Sequence, residues 1–65
     1  SDRRAKTDIT RVGELDNGLP VYSFRYKEGG PFQIGLMADE VEKVHPEAVV
    51  EINGVKYVRY DQAVT

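Results

Sequence analysis

The sequence predicts a small α+β fold, in which one short helix packs on a small antiparallel sheet with a C-terminal β-hairpin. Val21–Tyr26 alternates aromatic with smaller or polar residues, which is typical of a strand. Met37–Val44 carries apolar residues at i, i+4 and i+7, the spacing of one helix face. Asn53-Gly54 lies between two apolar stretches and is the preferred type I′ hairpin turn.

The N-terminal segment carries the weakest structural signals. Ser1–Lys6 is polar and basic, and by itself it is typical of a solvated arm. Thr7–Leu15 has an apolar residue at every third position, which indicates a helical turn or irregular structure. The Asp-Asn-Gly sequence at 16–18 is a strong turn signal, since Asn and Gly tolerate positive φ. The strand that follows should present one aromatic face, formed by Tyr22, Phe24 and Tyr26.

A second short strand is predicted to run directly into the helix. Phe32, Ile34 and Leu36 alternate with other residues before the helical stretch begins. Acidic residues follow in the first helical turn, where negative charge favours the helix dipole. Pro46 ends the helix, because the residue before a proline is pushed out of the helical region. The face expected to pack on the sheet consists of Met37, Val41 and Val44.

The C-terminal third is predicted to form a hairpin between Ala48–Ile52 and Val55–Tyr60. The two-residue turn places Glu51 opposite Lys56, and this pair of opposite charges supports the register. One face of the hairpin should be apolar, with Val50, Ile52, Val55 and Tyr57. Asp61 is the expected N-cap of a C-terminal helix that is short or truncated.

The length limits residues 1–65 to a single domain with a thin core. A chain of 65 residues buries only about 60% of the surface of its unfolded form. Cysteine is absent, so neither a disulfide nor a thiolate metal site is available, and the single His45 with scattered carboxylates makes no convincing metal set. Oligomerisation is therefore the expected source of additional stability.

Charge and hydropathy argue against several partners. The net charge of −2 disfavours nonspecific binding to nucleic acid. No stretch is long and apolar enough to span a membrane, and no signal peptide is recognisable. We expect no cofactor, metal, small-molecule ligand, nucleic acid or membrane partner. Because the chain starts at Ser1 and not at a methionine, we expect a processed product or an excised fragment.

Four stretches, in this order, carry a family resemblance that covers nearly the whole chain. They are a Ser-Asp-x-x-x-Lys motif at 1–6, Phe24-Arg25-Tyr26-Lys27, Gly35–Val41 with Pro46–Val50, and Tyr57–Asp61. Together they resemble the chaperone of endosialidase, the self-cleaving C-terminal intramolecular chaperone domain of phage tail spikes and fibres. Many members carry long insertions and a C-terminal helix that forms a trimeric coiled coil. Here the connections are minimal and that helix is short or missing.

The resemblance implies a homotrimeric chaperone that drives assembly of the upstream fibre or spike domain of the same polypeptide. Autoproteolysis just before Ser1 then releases the domain. By this resemblance Ser1 is the nucleophile and Lys6 its general base, in a single-turnover serine endopeptidase without an external substrate. The protein would be encoded by a phage or prophage and made in the cytoplasm of the bacterial host.

The chemistry of such a Ser-Lys dyad sets clear requirements. A serine hydroxyl is a weak nucleophile and needs a base within reach. A lysine can act as that base only if burial or nearby cations lower its pKa, and Arg3 and Arg4 are close in sequence. The spacing from Ser1 to Lys6 puts them on one face of neither a helix nor a strand. They can meet only across a bend or between subunits, and no oxyanion-hole donor is identified.

Two other functions remain open. A noncatalytic trimerisation module would remain attached to its fibre. A peptide-binding domain would use the edge of the strand Val21–Tyr26. The mass of a precursor with upstream residues distinguishes cleavage from the first alternative, and the second predicts a soluble monomer with a free sheet edge. Without the family, a terminal serine and lysine such as Ser1 and Lys6 are more often solvated than catalytic.

Overall fold

The computed structural model describes all residues, Ser1–Thr65. It confirms the predicted α+β class, with two antiparallel sheets and a short helix. The elements follow one another as a 3-10 turn Arg3–Ala5, β1 Lys6–Glu14, β2 Pro20–Tyr26, β3 Gln33–Gly35, α1 Ala38–Val44, a 3-10 turn Pro46–Ala48, β4 Val49–Ile52, β5 Val55–Val58 and α2 Tyr60–Ala63. None of the helices is long and apolar enough to cross a bilayer.

The first sheet has the strand order β1-β2-β3, so β2 is paired on both sides. This contradicts the peptide-binding alternative, because the strand expected to offer a free edge has none. The expectation of a helical turn or irregular structure at Thr7–Leu15 is also wrong, since nearly all of this stretch belongs to β1. Asp8 has φ of 53° where the register between Thr7 and Thr10 shifts. This bulge and the exposure of β1 hide the alternation that identifies a strand.

The helix is confirmed within one residue of its predicted start. It begins at Ala38 and ends before His45, and Asp39 and Glu40 lie in its first turn. Met37 and Val41 are fully buried, as predicted. Val44 is 53% exposed, so the predicted packing face is wrong at its last position. Val44 is the final helical residue and extends past the core on which the first turn packs.

The hairpin between β4 and β5 has the predicted register at every pair, including Glu51 opposite Lys56. Its apolar face, however, lies outward, with Ile52, Val55 and Tyr57 all exposed. The inner face packs Val49 and Val58 against the core. Polar contacts fix this orientation, because the backbone N–H of Lys56 donates to Asp2 and its Nζ donates to Glu42.

The remaining strand and the C-terminal turn also depart from the pattern. β3 forms where a strand is predicted, but Phe32 and Ile34 are more than 60% exposed while Leu36 is buried. Arg59, and not Asp61, occupies the N-cap position of α2, without a side-chain hydrogen bond. Asp61 instead lies in the first turn of this four-residue helix.

The core is small and draws on both sheets and both helices. Its buried cluster consists of Leu19, Leu36, Val41, Ala48 and Ala63. Partly buried apolar residues surround it: Leu15, Val21, Val49 and Val58. Because α2 contributes a fully buried alanine, even the last turn of the chain is part of the fold.

Candidate active site

A bend in the N-terminal segment brings Ser1 and Lys6 to the same place. The 3-10 turn Arg3–Ala5 separates them, and the carboxylate of Asp2 caps it by accepting from the backbone N–H of Arg4 at 3.0 Å. Lys6 follows as the C-cap residue and donates its backbone N–H to Arg3. Of the two routes that the sequence leaves open, a bend or a subunit contact, the structure contains the bend.

The carbonyl oxygen of Leu36 is the point where the two residues meet. The α-amino group of Ser1 donates to this oxygen at 2.8 Å, and Nζ of Lys6 donates to it at 2.9 Å. The carbonyl of Ser1 accepts from the backbone N–H of Ala38 at 2.8 Å. Leu36 and the first residue of α1 therefore hold Ser1 at both its amino and its carbonyl group.

The side chain of Lys6 lies in an almost dry site. Its side chain is buried, with the residue 3% exposed, and Nζ lies 4.0 Å from the centroid of the Phe24 ring. Burial is the main cause that lowers the pKa of Lys6, and the charge of Arg3 lowers it further. The hydrogen bond to the Ser1 amine, together with the nearby charges of Asp2 and Asp39, acts in the opposite direction.

Of the two neighbouring arginines, only Arg3 lowers the pKa of Lys6, because Arg4 is paired with Asp2. Arg4 turns away and donates to the Asp2 carboxylate, at 3.0 Å from Nε and 2.7 Å from Nη2. The same carboxylate accepts from the backbone N–H of Lys56 at 3.0 Å. The hydrogen bonds from Arg4 and from the Lys56 backbone hold the pKa of Asp2 well below its usual range. Asp2 therefore fastens the hairpin to the turn that carries Ser1.

The hydroxyl of Ser1 faces Tyr26 and an open cavity. The Tyr26 hydroxyl donates to Ser1 Oγ over a long 3.5 Å, while Lys6 Nζ donates to Leu36 and Met37. A cavity of about 460 Å³ opens beside Ser1. Its lining also includes Ala5, Tyr26, Val55 and Tyr57. This space lies between the N-terminal turn and the hairpin, next to the hydroxyl that the resemblance assigns as nucleophile.

The sequence predicts Tyr26 only as part of an aromatic strand face, and it predicts no role for Leu36 beyond its strand. Tyr26 reaches the site because it pairs with Lys6 at the end of β1 and β2. The sequence does not predict this pairing, because Thr7–Leu15 lacks the alternating pattern of a strand. Leu36 acts through its backbone carbonyl, for which no side-chain pattern exists.

No group of three or more His, Cys, Asp and Glu side chains is placed to hold a metal ion. His45 Nδ1 lies 3.1 Å from the carboxylate of Glu47, at the C-terminal end of α1.

The free amino group of Ser1 predicts a pH-dependent stability. Burial, followed by the contact with Lys6, lowers the pKa of this amine to about 4. Between pH 4 and 8 the unfolded chain binds a proton that the folded chain does not, so the free energy of unfolding should rise with pH. We expect a gain of about 1–2 kcal/mol from pH 5 to pH 8, reduced by solvent screening.

Chemical denaturation of the chain with a free and with an acetylated Ser1 amine measures this effect. The acetylated chain keeps the N–H donor and all side chains but cannot take up the proton, so it is the matched control. Its stability should lack the rise between pH 5 and 8. Identical pH dependence of the two chains would contradict a buried neutral amine.

The fold and the site define a small α+β domain in which an N-terminal serine and a buried lysine converge on one backbone oxygen. The chain belongs to the peptidase S74 family, described as chaperone of endosialidase, whose family model matches residues 1–50. Membership supports a chaperone role, a peptidase of the self-cleaving kind and an association with phage proteins. No curated protein and no solved structure matches the chain.

Proposed function

We propose that this domain is the C-terminal intramolecular chaperone of a phage tail fibre or tail spike and is released by cleavage just before Ser1. The observation that carries the proposal is the shared acceptor, because Ser1 N and Lys6 Nζ both donate to the carbonyl of Leu36. In a precursor, Ser1 N is the nitrogen of the bond to be cut. Lys6 therefore lies at the atom that must receive a proton when that bond breaks.

The proposed reaction has two steps. In the first, Ser1 Oγ attacks the carbonyl carbon of the preceding residue and transfers its proton to neutral Lys6. The carbon–nitrogen bond breaks, and Lys6 returns the proton to Ser1 N, which leaves as the free amine. In the second step, water hydrolyses the ester on Ser1 Oγ, which releases the upstream carboxylate and restores the hydroxyl.

The surroundings of Lys6 support its role as the base. A lysine must be neutral to accept the serine proton, and burial against Phe24 with Arg3 nearby lowers its pKa. In the precursor Ser1 carries no free amine, so the hydrogen bond that raises the pKa of Lys6 in the cleaved chain is absent. Beside Ser1 Oγ lie the Tyr26 hydroxyl and an open cavity. The cavity provides space for the residue that precedes Ser1 in the precursor.

The surface of the domain supports assembly into a homotrimer. The buried core is small, while large apolar residues are exposed on both sheets. On the first sheet and the loop that leads into β3 these are Val12, Phe32 and Ile34, and on the hairpin they are Ile52, Val55 and Tyr57. Exposed apolar surface of this kind is typical of protein–protein contacts. A trimer would cover part of it and place three copies of the upstream chain in one register.

We expect the intact precursor to be a homotrimer. In a trimer, neighbouring subunits would bury exposed apolar side chains of β3 and of the hairpin. This burial would add stability that a core of this size lacks. Light scattering over a range of concentrations measures the mass of the precursor and of the released chain. A monomeric mass for both at the highest concentration would contradict the trimer.

The proposed function is tested by expressing the domain with its native upstream residues. Without added protease, the preparation should yield a product whose first residue is Ser1, identified by intact mass and N-terminal sequencing. A trimer that keeps its full precursor mass would instead support the noncatalytic assembly module. Cleavage at a different bond would overturn the assignment of Ser1.

A further inference from the structure

Leu36 makes backbone hydrogen bonds with residues near both ends of the chain. Its backbone N–H donates to the hydroxyl of Tyr60 at 3.0 Å, and the two residues are 24 positions apart. Tyr60 is the first residue of α2 and lies outside the residues that the family model matches. One residue thus connects the last helical turn with the carbonyl that Ser1 and Lys6 share.

Gly35 makes room for this contact. A Cβ atom built on Gly35 would collide with the hydroxyl oxygen of Tyr60 and would lie 3.3 Å from Cε2 of Phe24. The backbone of Gly35 is outside the left-handed region, so any residue could adopt its conformation. The glycine is needed for the close approach of Tyr60, not for its φ angle.

Leu36 depends on such contacts because it belongs to no regular element. It lies between the end of β3 at Gly35 and the start of α1 at Ala38. Its N–H and its carbonyl flank one Cα atom, so the backbone angles of Leu36 decide where the carbonyl oxygen points. The buried Leu36 side chain and the Tyr60 hydroxyl together restrict those angles.

We infer that Tyr60 is a positioning residue for cleavage, which directs the Leu36 carbonyl at Ser1 N and Lys6 Nζ. The inference rests on the proposed function. It makes cleavage depend on the docking of α2, where Ala63 is buried and its carbonyl accepts from Asn17 Nδ2 at 2.7 Å. The bond before Ser1 is then cut only after the chain has folded through to this turn.

Two substitutions in the precursor test the inference from opposite sides of the contact. Tyr60→Phe removes only the hydroxyl, and we expect cleavage about 10-fold slower. Gly35→Ala fills the space of that hydroxyl, and we expect cleavage about 100-fold slower, since misplacement by roughly 1 Å has effects of this size. Rates are measured on material shown to be folded by circular dichroism.

The chain offers a matched control for each variant. Tyr22→Phe removes a phenol hydrogen bond of 2.9 Å to Glu40 that does not involve Leu36. Gly13→Ala adds a methyl group where no atom lies within 4 Å. Gly13→Ala should cleave at the parent rate. Tyr22→Phe should be slowed less than Tyr60→Phe, because its phenol lies beside Arg3 and Glu40 and not at Leu36.

The pH profile separates positioning from a merely structural role. A carbonyl that accepts from an ammonium favours the charged form, so a displaced Leu36 carbonyl lowers the pKa of Lys6. In Tyr60→Phe and Gly35→Ala the rise of cleavage with pH should therefore move to lower pH. The charged groups that surround Lys6, which are Arg3, Asp2 and Asp39, are the same in parent and variants.

The positioning role of Tyr60 is overturned if Tyr60→Phe and Gly35→Ala slow cleavage only in proportion to their unfolded fraction and leave the pH profile unchanged. Parent rates in both Tyr60→Phe and Gly35→Ala, with Ser1→Ala uncut, overturn this inference and leave the proposed function intact. A Ser1→Ala precursor that is still cut at the same bond removes the proposed function itself.

Discussion

The precursor with Ser1→Ala is expected to remain uncut, and Lys6→Ala should slow cleavage by about 10²–10⁴-fold, the usual loss for a general base. Ser1→Ala removes the hydroxyl that is proposed to act as the nucleophile. Lys6→Arg should be nearly as damaging as Lys6→Ala, because arginine does not become neutral at ordinary pH. Gels and intact masses at fixed times give the rates.

Two controls share the chemistry of these substitutions but not their position. Ser23→Ala removes the only other serine, which lies in β2, and Lys43→Arg changes an exposed lysine of α1. Both should cleave like the parent. The uncut variants should still form trimers, because folding and assembly precede cleavage in the proposed scheme.

The rate of cleavage is also expected to depend on pH. Lys6 acts as a base only after it loses its proton, so cleavage in the parent should rise with pH. Burial lowers the pKa of Lys6, so this rise should be centred below the usual value for lysine, 10.5. Parent-like cleavage of Lys6→Arg would exclude the dyad and direct attention to another group.

Val41→Asp is expected to unfold the domain, at a cost of roughly 3 kcal/mol or more. Val41 is fully buried in the cluster that joins α1 to Leu19, Leu36 and the C-terminal turn, so a carboxylate at this position would lose its hydration among apolar side chains. Circular dichroism and thermal denaturation measure the effect.

Val44→Asp is the matched control, because it makes the same change at the end of the same helix. Val44 is 53% exposed, so the new carboxylate stays in water and the domain should remain folded. A folded Val41→Asp with an unchanged melting temperature would refute the packing of α1 on this core.

Local signals in the sequence account for the elements that were predicted correctly. The Asn-Gly turn closes a two-residue loop, which by itself sets the register from Val49↔Val58 to Ile52↔Val55. The helix ends where Pro46 forbids its continuation, and β2 follows from the alternation of aromatic residues. Each of these decisions depends on residues a few positions apart.

The sequence predicted the buried helix face only in part, because Met37 and Val41 are buried while Val44 is exposed. Ile52, Val55 and Tyr57 of the hairpin's apolar face are exposed, and so are Phe32, which precedes β3, and Ile34 within β3. A pattern shows which residues share a face but not which face meets the core, since that depends on how the sheets and helix pack. A subunit interface on these faces would also explain their apolar character. Light scattering on the precursor tests whether such an interface forms.

By itself the sequence determined the fold class, the helix and the hairpin register, and the resemblance predicts the pair Ser1 and Lys6. Only the tertiary structure decided how that pair meets. Ser1 and Lys6 contact the Leu36 carbonyl across 35 and 30 residues, and Tyr60 holds Leu36 from the other end of the chain. Backbone acceptors carry no side-chain signature, and contacts between distant residues arise only when the core brings their elements together.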